Sequence, residues 1–469
     1  MDKQREIKML HICPVAWQAQ YNSEHVAVKT DQYQLTYAQL HNLISSLSSQ
    51  LIQLNMNKGD RLATIAKNRL PLYLLQLTCL RNGFIFCPIN PNFSQAEIAQ
   101  RLNRLDTAFI YREGAENNLS LDFSKTSGQA PNDAPLSIDP NAIISIIFTS
   151  GSSGLPKAVM HHFRNHFYSA LGSQSVIPLN VGDNNLLSLP MFHISGYATV
   201  MRTVLAGATL LISEEKISVQ QLNKTKITHL SLVSTQLQQL LQDKAFQQNL
   251  LPIKHLLLGG SAFPTNVLTE TGERGFTYHL SYGSTEMASQ IATSTNNETL
   301  KLLPYRLLKI IDGEIHLAGQ TRFAGYFNGD SQSGLIDQSY YFASADLGEI
   351  DILEDKETVK IMGRKDRQFI SGGENIQPEE IEKVLLACPS ISQAYVLPID
   401  DCIYGQRPIA FVKWTHGEHP QKLSAFIQDR LVAFKHPLHY FSFPQQQGLK
   451  PNRSQLSALA TTLLRKEIP

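Results

Sequence analysis

The feature that most constrains this chain is a junction. The apolar run Ala142 to Phe148 (AIISIIF) passes directly into Thr149-Ser150-Gly151-Ser152-Ser153-Gly154-Leu155-Pro156-Lys157. An unbroken apolar run of strand length is the pattern of a strand buried on both faces, as in a parallel sheet covered by helices. Glycines in the loop that follows let a backbone approach an anion. Hydroxyls and amide N–H groups then donate to phosphate oxygens, and the lysine adds a point charge. The spacing is not GxxxxGK[ST], so this is not a Walker A loop. Taken alone, the string is equally compatible with an ordinary Ser/Gly turn.

The flanking sequence repeats the same rhythm. Tyr37 to Leu54 carries Leu40, Leu43, Ile44, Leu47, Leu51 and Leu54 at helical spacing; Arg61 to Ile65 follows as a short strand. Leu70 to Arg81 reads as a helix ended by Gly83, and Phe84 to Pro88 as the next strand. Further strands are expected at Leu186–Leu189, Ala208–Ile212, Ile227–Val233 and His255–Leu258. Strands alternating with helices define an α/β fold with mixed or largely parallel sheets covered by helices. Glu113 to Asn141, rich in Ser, Asp, Asn, Gly and Pro, reads as a surface connection.

Near residue 364 the texture changes. Pro378-Glu379-Glu380-Ile381 starts a helix, with proline in the first turn and acids near the N-terminus. Strands at Ala394–Leu397 and Ile409–Trp414 and a helix at Leu423–Val432 follow. The expectation is a large domain over 1–364 and a small, mobile α+β domain over 365–469, joined at Arg364 to Arg367.

With 469 residues, of which 42% are hydrophobic and 17% charged, the chain has ample core for such an arrangement. A formal charge of +1 without a basic stripe argues against a nucleic-acid partner. Cys13, Cys79, Cys87, Cys388 and Cys402 form no CxxC pair, so neither a disulfide framework nor a zinc ribbon is indicated. The polar N-terminus MDKQREIKML lacks a following apolar region, and no stretch reaches the ~20 apolar residues of a membrane helix. The expected location is the cytoplasm, with no membrane span and a homodimer left open.

The loop at Thr149–Lys157 resembles the phosphate loop of the adenylate-forming superfamily, which includes acyl-CoA synthetases, luciferases and peptide-synthetase adenylation domains. Further strings recur in the family's order. Leu189-Pro190-Met191-Phe192-His193 is similar to the acyl-pocket motif; Gly259-Gly260-Ser261 and Ser281-Tyr282-Gly283-Ser284-Thr285-Glu286 are similar to the adenine and metal motifs. Tyr341 to Asp346 matches the ribose motif, Gly363-Arg364-Lys365-Asp366 the hinge, and Ser371-Gly372-Gly373-Glu374-Asn375-Ile376 the loop beyond it.

The resemblance implies ATP, Mg²⁺ and coenzyme A as reactants or cofactors. It gives Tyr282 an aromatic face for adenine, although a lone tyrosine is more often core. Thr285 donates to the α-phosphate, Glu286 is a hard oxygen ligand for Mg²⁺, and Asp346 recognises the ribose hydroxyls with help from Arg364. His193 reads as a core histidine, a metal ligand or a gate at the acyl pocket. The lack of a second histidine at ligand spacing disfavours the metal, and the resemblance places it beside the acyl carbonyl. Lys365 and Asp366 are the implied hinge, and Gly372-Gly373 an implied strand lining the thiol tunnel.

Two departures stand out. The family's glycine before the ribose aspartate is here Ala345, whose methyl is expected to do little harm. The family's C-terminal Pro-x-x-x-x-Gly-Lys is replaced by Gly448-Leu449-Lys450-Pro451-Asn452-Arg453, which leaves Lys450 as the candidate catalytic lysine and an exposed surface lysine as the alternative.

Within the superfamily the chain is most similar to the compact bacterial o-succinylbenzoate–CoA ligases of menaquinone biosynthesis. The strings that carry this are Leu187 to Gly196, Arg202, Ala206-Gly207-Ala208 and Gly372 to Glu380. Such an acid has two carboxylates. The one that is not adenylated needs a partner, because a buried unpaired carboxylate is costly; Arg202 and Ser195 are the candidates. Another aryl- or fatty-acyl-CoA ligase, a free-standing adenylation domain and a nucleotide-binding pseudoenzyme are the rivals.

Overall fold

The computed structural model describes residues 3–114, 119–124, 136–149, 156–296, 298–328, 340–353, 356–415, 420–444 and 453–467. The apolar runs assemble into two large sheets. In the six-stranded sheet, Arg61–Ile65 lies between Phe109–Arg112 and Ile85–Ile89, and Ile85–Ile89 pairs with Ile143–Thr149, all in parallel. Lys157–His162 then returns antiparallel along Ile143–Thr149, and Gly325–Tyr326 closes the edge. The thirteen-stranded sheet has a parallel heart: Asn184–Leu186, His229–Leu232, His255–Gly259 and Tyr278–Ser284 lie side by side. Beyond Tyr278–Ser284 it turns antiparallel, through Ser289–Thr295 to the long pair Phe342–Leu353 and Lys356–Arg364.

Local chemistry sets the helices between these strands. In the helix Tyr37–Gln53, Leu40, Leu43, Ile44, Leu47 and Leu51 are all buried. Thr36 opens it with a capping box, its hydroxyl accepting the Gln39 N–H while the Gln39 side chain accepts the Thr36 N–H. The helix Leu70–Asn82 takes proline in its first turn and stops at Gly83, whose φ of 69° is the left-handed cap that glycine adopts without strain.

Past residue 368 a third group of elements packs on its own. Ile391–Asp401, Gly405–Trp414 and Tyr440–Ser442 form a three-stranded sheet. It is covered on one side by Pro378–Leu386 and Pro420–Gln428, through Ile381, Leu385, Leu423 and Ile427, and on the other by Leu456 and Ala460 of Arg453–Glu467. Phe369–Ser371 and Glu374–Ile376 make a separate hairpin. Gly372 and Gly373 are its two-residue turn, at φ 57° and 86°, rather than a strand as the sequence suggested. Positive φ at both central residues is what a tight turn compatible with strand twist demands, and glycine supplies it. No helix among the described residues is long and apolar enough to cross a membrane.

Candidate functional site

The carboxyl ends of the parallel strands, where ligands bind in open α/β sheets, carry most of the singled-out residues. Thr149 ends its strand and Lys157 begins the next, and the two are paired in register. The strand Ile143–Thr149 is thus followed by an antiparallel strand, whereas the strand of a Walker A motif is followed by a helix. Ser150, Gly151, Ser152, Ser153 and Gly154 lie outside the described residues. The Lys157 ammonium sits 5.1 Å from the centre of the Tyr326 ring, a cation–π distance.

Tyr326 was not singled out from the sequence, and it links two motifs. Its hydroxyl donates to Glu286 Oε1 at 3.0 Å. The Phe323 N–H, from the same segment, donates to the Glu286 carbonyl at 2.7 Å. On the other side, buried His161 Nε2 donates to the Thr285 carbonyl at 2.7 Å; burial holds the imidazole down at about 4, in its neutral form. The short turn Thr285–Met287 is thus fixed from both neighbouring strands, and Glu286 Oε2 makes no hydrogen bond to a described residue. Among the described residues no three His, Cys, Asp or Glu side chains converge as a metal cage. A single held carboxylate suits Mg²⁺, which takes few protein ligands alongside phosphates and water.

Gly259 and Ser281 are register partners, so the Gly259-Gly260-Ser261 turn borders the Ser281–Thr285 string. Tyr282 gives its hydroxyl to Asp346 Oδ2 at 2.6 Å, and Arg364 Nη1 reaches Asp346 Oδ1 at 3.0 Å. Asp346 and Arg364 face each other across their strand pair. Burial raises the Asp346 pKa, and the Tyr282 hydroxyl and the Arg364 charge oppose that rise. Each carboxylate oxygen keeps a further lone pair for a ligand hydroxyl.

Ala345 is where the expectation changes. Its methyl is small, but its φ is 60°, in the left-handed region. The strain lies in the backbone rather than in a contact, and is held by the Ala345 N–H donating to Glu314 Oε1 and the Asp346 N–H to Ser344 Oγ. A non-glycine residue there costs about 1 kcal/mol. Ala345→Gly should therefore stabilise the protein by about 1 kcal/mol, read as a higher denaturant midpoint at unchanged slope. An unchanged or lower midpoint would mean that the surrounding bonds already absorb the strain.

The acid side is built on the helix Ile194–Ala206. His193 is its exposed N-cap residue. Gly196 lies so close to the 190 turn that a Cβ would sit 2.2 Å from the Pro190 carbonyl oxygen. Arg202 follows nine residues after His193, about 13 Å along the axis, with its Cβ tilted back toward the N-terminus. It lines a small, partly open pocket of about 20 Å³, together with Asn185, His229, Ser231 and His255, where the strands His229–Leu232 and His255–Gly259 begin. Burial pushes its guanidinium down to about 10. Its only hydrogen bond to a described residue runs from Nη2 to Thr199 Oγ1 at 3.1 Å, and it forms no ion pair with one. Buried Arg306 shows the contrast: its guanidinium is spent on the carbonyls of Gln290, Pro304, Tyr168 and Ser169. Arg202 keeps donors for something else. Ser195 does not line that pocket.

At the proposed linker the ion pairs change sides. Arg364 binds Asp346, and Lys365 Nζ binds Glu314 at 2.7 Å, both within the thirteen-stranded sheet. Arg367 binds Glu379 and Glu382 on the helix Pro378–Leu386. Asp366 stands between them in a single 3₁₀ turn, Lys365–Arg367, accepting from Arg364 at 3.0 and 3.1 Å. Lys450 lies outside the described residues.

Comparison with known proteins agrees with this geometry. Residues 15–327 match the AMP-binding enzyme family and 380–447 match the AMP-binding enzyme C-terminal domain. The chain belongs to the AMP-binding enzyme family. The 2-succinylbenzoate–CoA ligase of Escherichia coli K12 is 31% identical, over 93% of this chain and 96% of that protein. The o-succinylbenzoate CoA synthetase of Bacillus subtilis, in complex with the acyl-adenylate intermediate, superposes with a TM-score of 0.83 at 26% identity, covering 95% and 98% of the two chains. The same enzyme with ATP and magnesium ion also gives 0.83 at 26% identity, covering 95% and 99%.

Proposed function

We propose that this chain is an ATP-dependent acid–thiol ligase that converts 2-succinylbenzoate, ATP and CoA to 2-succinylbenzoyl-CoA, AMP and pyrophosphate in menaquinone biosynthesis. The observation that carries the substrate is Arg202, a half-buried guanidinium with unspent donors on the helix that follows His193. A guanidinium with free donors at a pocket suits the carboxylate of a ligand, with which it forms charge-assisted hydrogen bonds.

In the first step a carboxylate oxygen of the acid attacks the α-phosphorus and pyrophosphate leaves. Thr149 to Lys157 hold the phosphates, Tyr282 and Gly259-Gly260-Ser261 flank the adenine, and Asp346 with Arg364 accepts and orients the ribose. Thr285 and Lys450 donate to the phosphate oxygens as charge develops. Mg²⁺ bound at Glu286 supplies Lewis-acid neutralisation of that charge. In the second step the CoA sulfur attacks the acyl carbon and AMP leaves. His193 borders the acyl carbonyl, and the Gly372-Gly373 turn borders the thiol path. We divide the chain at 364/365, with Lys365 and Asp366 as the pivot. We assign it to the cytoplasm, because its cysteines are free and all but Cys402 are buried.

The test is thioester formation across a panel of acids. 2-Succinylbenzoate should be used far better than benzoate or a long-chain fatty acid, and equal use of a monocarboxylate would sink the substrate assignment. Arg202→Ala should raise the KM for 2-succinylbenzoate about 10- to 100-fold, the loss of a charge-assisted pair, and leave the KM for ATP unchanged. If the acid KM does not move, Arg202 is not the anchor.

A further inference from the structure

The floor of the Arg202 pocket carries a feature that the adenylation site does not use. His229, His255 and His279 stand on three adjacent parallel strands, with successive ring centres 5.1 Å apart. His229 is fully engaged, Nε2 donating to the Pro178 carbonyl at 2.9 Å and Nδ1 meeting Thr228 Oγ1 at 2.9 Å. His255 is not. Its Nδ1 meets His279 Nε2 at 2.9 Å, His279 Nδ1 meets Thr295 Oγ1 at 3.1 Å, and His255 Nε2 has no hydrogen bond to a described residue. His255 and His229 line the same pocket as Arg202.

We infer that His255 is a second recognition group for the far carboxylate of the acid, donating from Nε2 beside Arg202. The inference rests on the dicarboxylate reading above and deepens it. The row Thr295–His279–His255 has two neutral arrangements with the same number of protons. In one, the Thr295 hydroxyl donates to His279 Nδ1, His279 Nε2–H donates to His255 Nδ1, and His255 presents an N–H to the pocket. In the other, every bond in the row is reversed and His255 presents a lone pair. A carboxylate accepts and never donates, so it selects the first arrangement. Two donors on one carboxylate also account for discrimination. An acid lacking that group forgoes both charge-assisted bonds and binds less tightly than the dicarboxylate.

The other charged groups near the row do not replace it. Lys254 is committed to Asp183 at 2.6 Å, on the strand starts beneath His229. No described carboxylate pairs with Arg202 or His255.

The experiment compares His255→Gln with His255→Asn. The glutamine amide nitrogen reaches about where Nε2 stands; the asparagine amide reaches only Nδ1. The wild type is first assayed for thioester formation with 2-succinylbenzoate and with a monocarboxylate analogue. A wild type without preference for the dicarboxylate overturns the substrate reading and this inference together. Given that preference, His255→Asn should raise the KM for 2-succinylbenzoate about 10-fold, with kcat and the KM for ATP within twofold, and His255→Gln should recover most of it. The KM for the monocarboxylate should not change in either variant. Equal acid KM values for wild type and His255→Asn would overturn the inference and leave the function intact. So would a parallel loss for both acids and ATP, which would make the histidine row a scaffold only.

Discussion

Glu286→Ala should lower magnesium-dependent ATP–pyrophosphate exchange about 100-fold or more, the scale for removing one group that faces developing charge. The side chain is half-buried and fixed at one oxygen by Tyr326, so its free oxygen has a defined direction before any ligand arrives. A preorganised group contributes in the transition state without reorganising. Its carbonyl is separately tied to the Phe323 N–H, and the preceding carbonyl to His161. Removing the carboxylate therefore leaves the turn in place, and the unfolding midpoint should stay close to wild type. Tyr326→Phe should have a smaller effect of the same kind, raising the magnesium concentration for half-maximal exchange and weakening Mn²⁺ binding measured directly. Full exchange by Glu286→Ala at limiting Mg²⁺ would refute the ligand role.

Much of this frame was legible because it is local. Gly83 at the end of a periodic run and the apolar run up to Phe148 each report on their own few residues, and each element appears where the pattern placed it, within a residue or two. What was not legible depends on register between distant segments. His229, His255 and His279 are spaced like unrelated residues, and they meet because three parallel strands align them. Tyr326 and His161 reach the Thr285-Glu286 turn only because one short strand pairs with Lys157–His162. Ala345 is a different case. The sequence gives the size of the methyl, and what matters is a backbone angle set by Glu314 on a neighbouring strand. Ser195 and Arg202 were both candidates for the second carboxylate, as a hydroxyl and a cation, and of the two only Arg202 lines the pocket.

The two half-reactions should be separable at Asp366 and Lys450. The ion pairs around the linker divide cleanly: Arg364 and Lys365 hold to Asp346 and Glu314, and Arg367 holds to Glu379 and Glu382. Only the backbone of the 3₁₀ turn between them is free to change dihedrals without breaking either set, as a hinge requires. Three single hydrogen bonds also cross the pivot among the described residues, from the Arg453 guanidinium to the Asp366 carbonyl at 3.1 Å, from the Gln377 amide to the Arg364 carbonyl at 3.0 Å and from the Gln238 amide to the Ser392 carbonyl at 3.1 Å, and a swing must exchange them for water. Proline at 366 fixes φ near −65° and biases residue 365 away from the helical region, so the small unit should be held in one orientation. Asp366→Pro should cut thioester formation from supplied acyl-adenylate about 100-fold and leave adenylate formation within about threefold, a gate on one step. Asp366→Ala, which also loses the Arg364 contact but keeps a free φ, should retain both halves within about threefold, since a partly exposed ion pair contributes little. Lys450→Ala should do the opposite of the proline variant, slowing adenylation about 100-fold and sparing the thioester half. Single-turnover kinetics of each half-reaction reads all three variants. If proline and alanine at 366 behave alike, the charge matters and the pivot does not. If Lys450→Ala slows both halves equally, the catalytic lysine lies elsewhere.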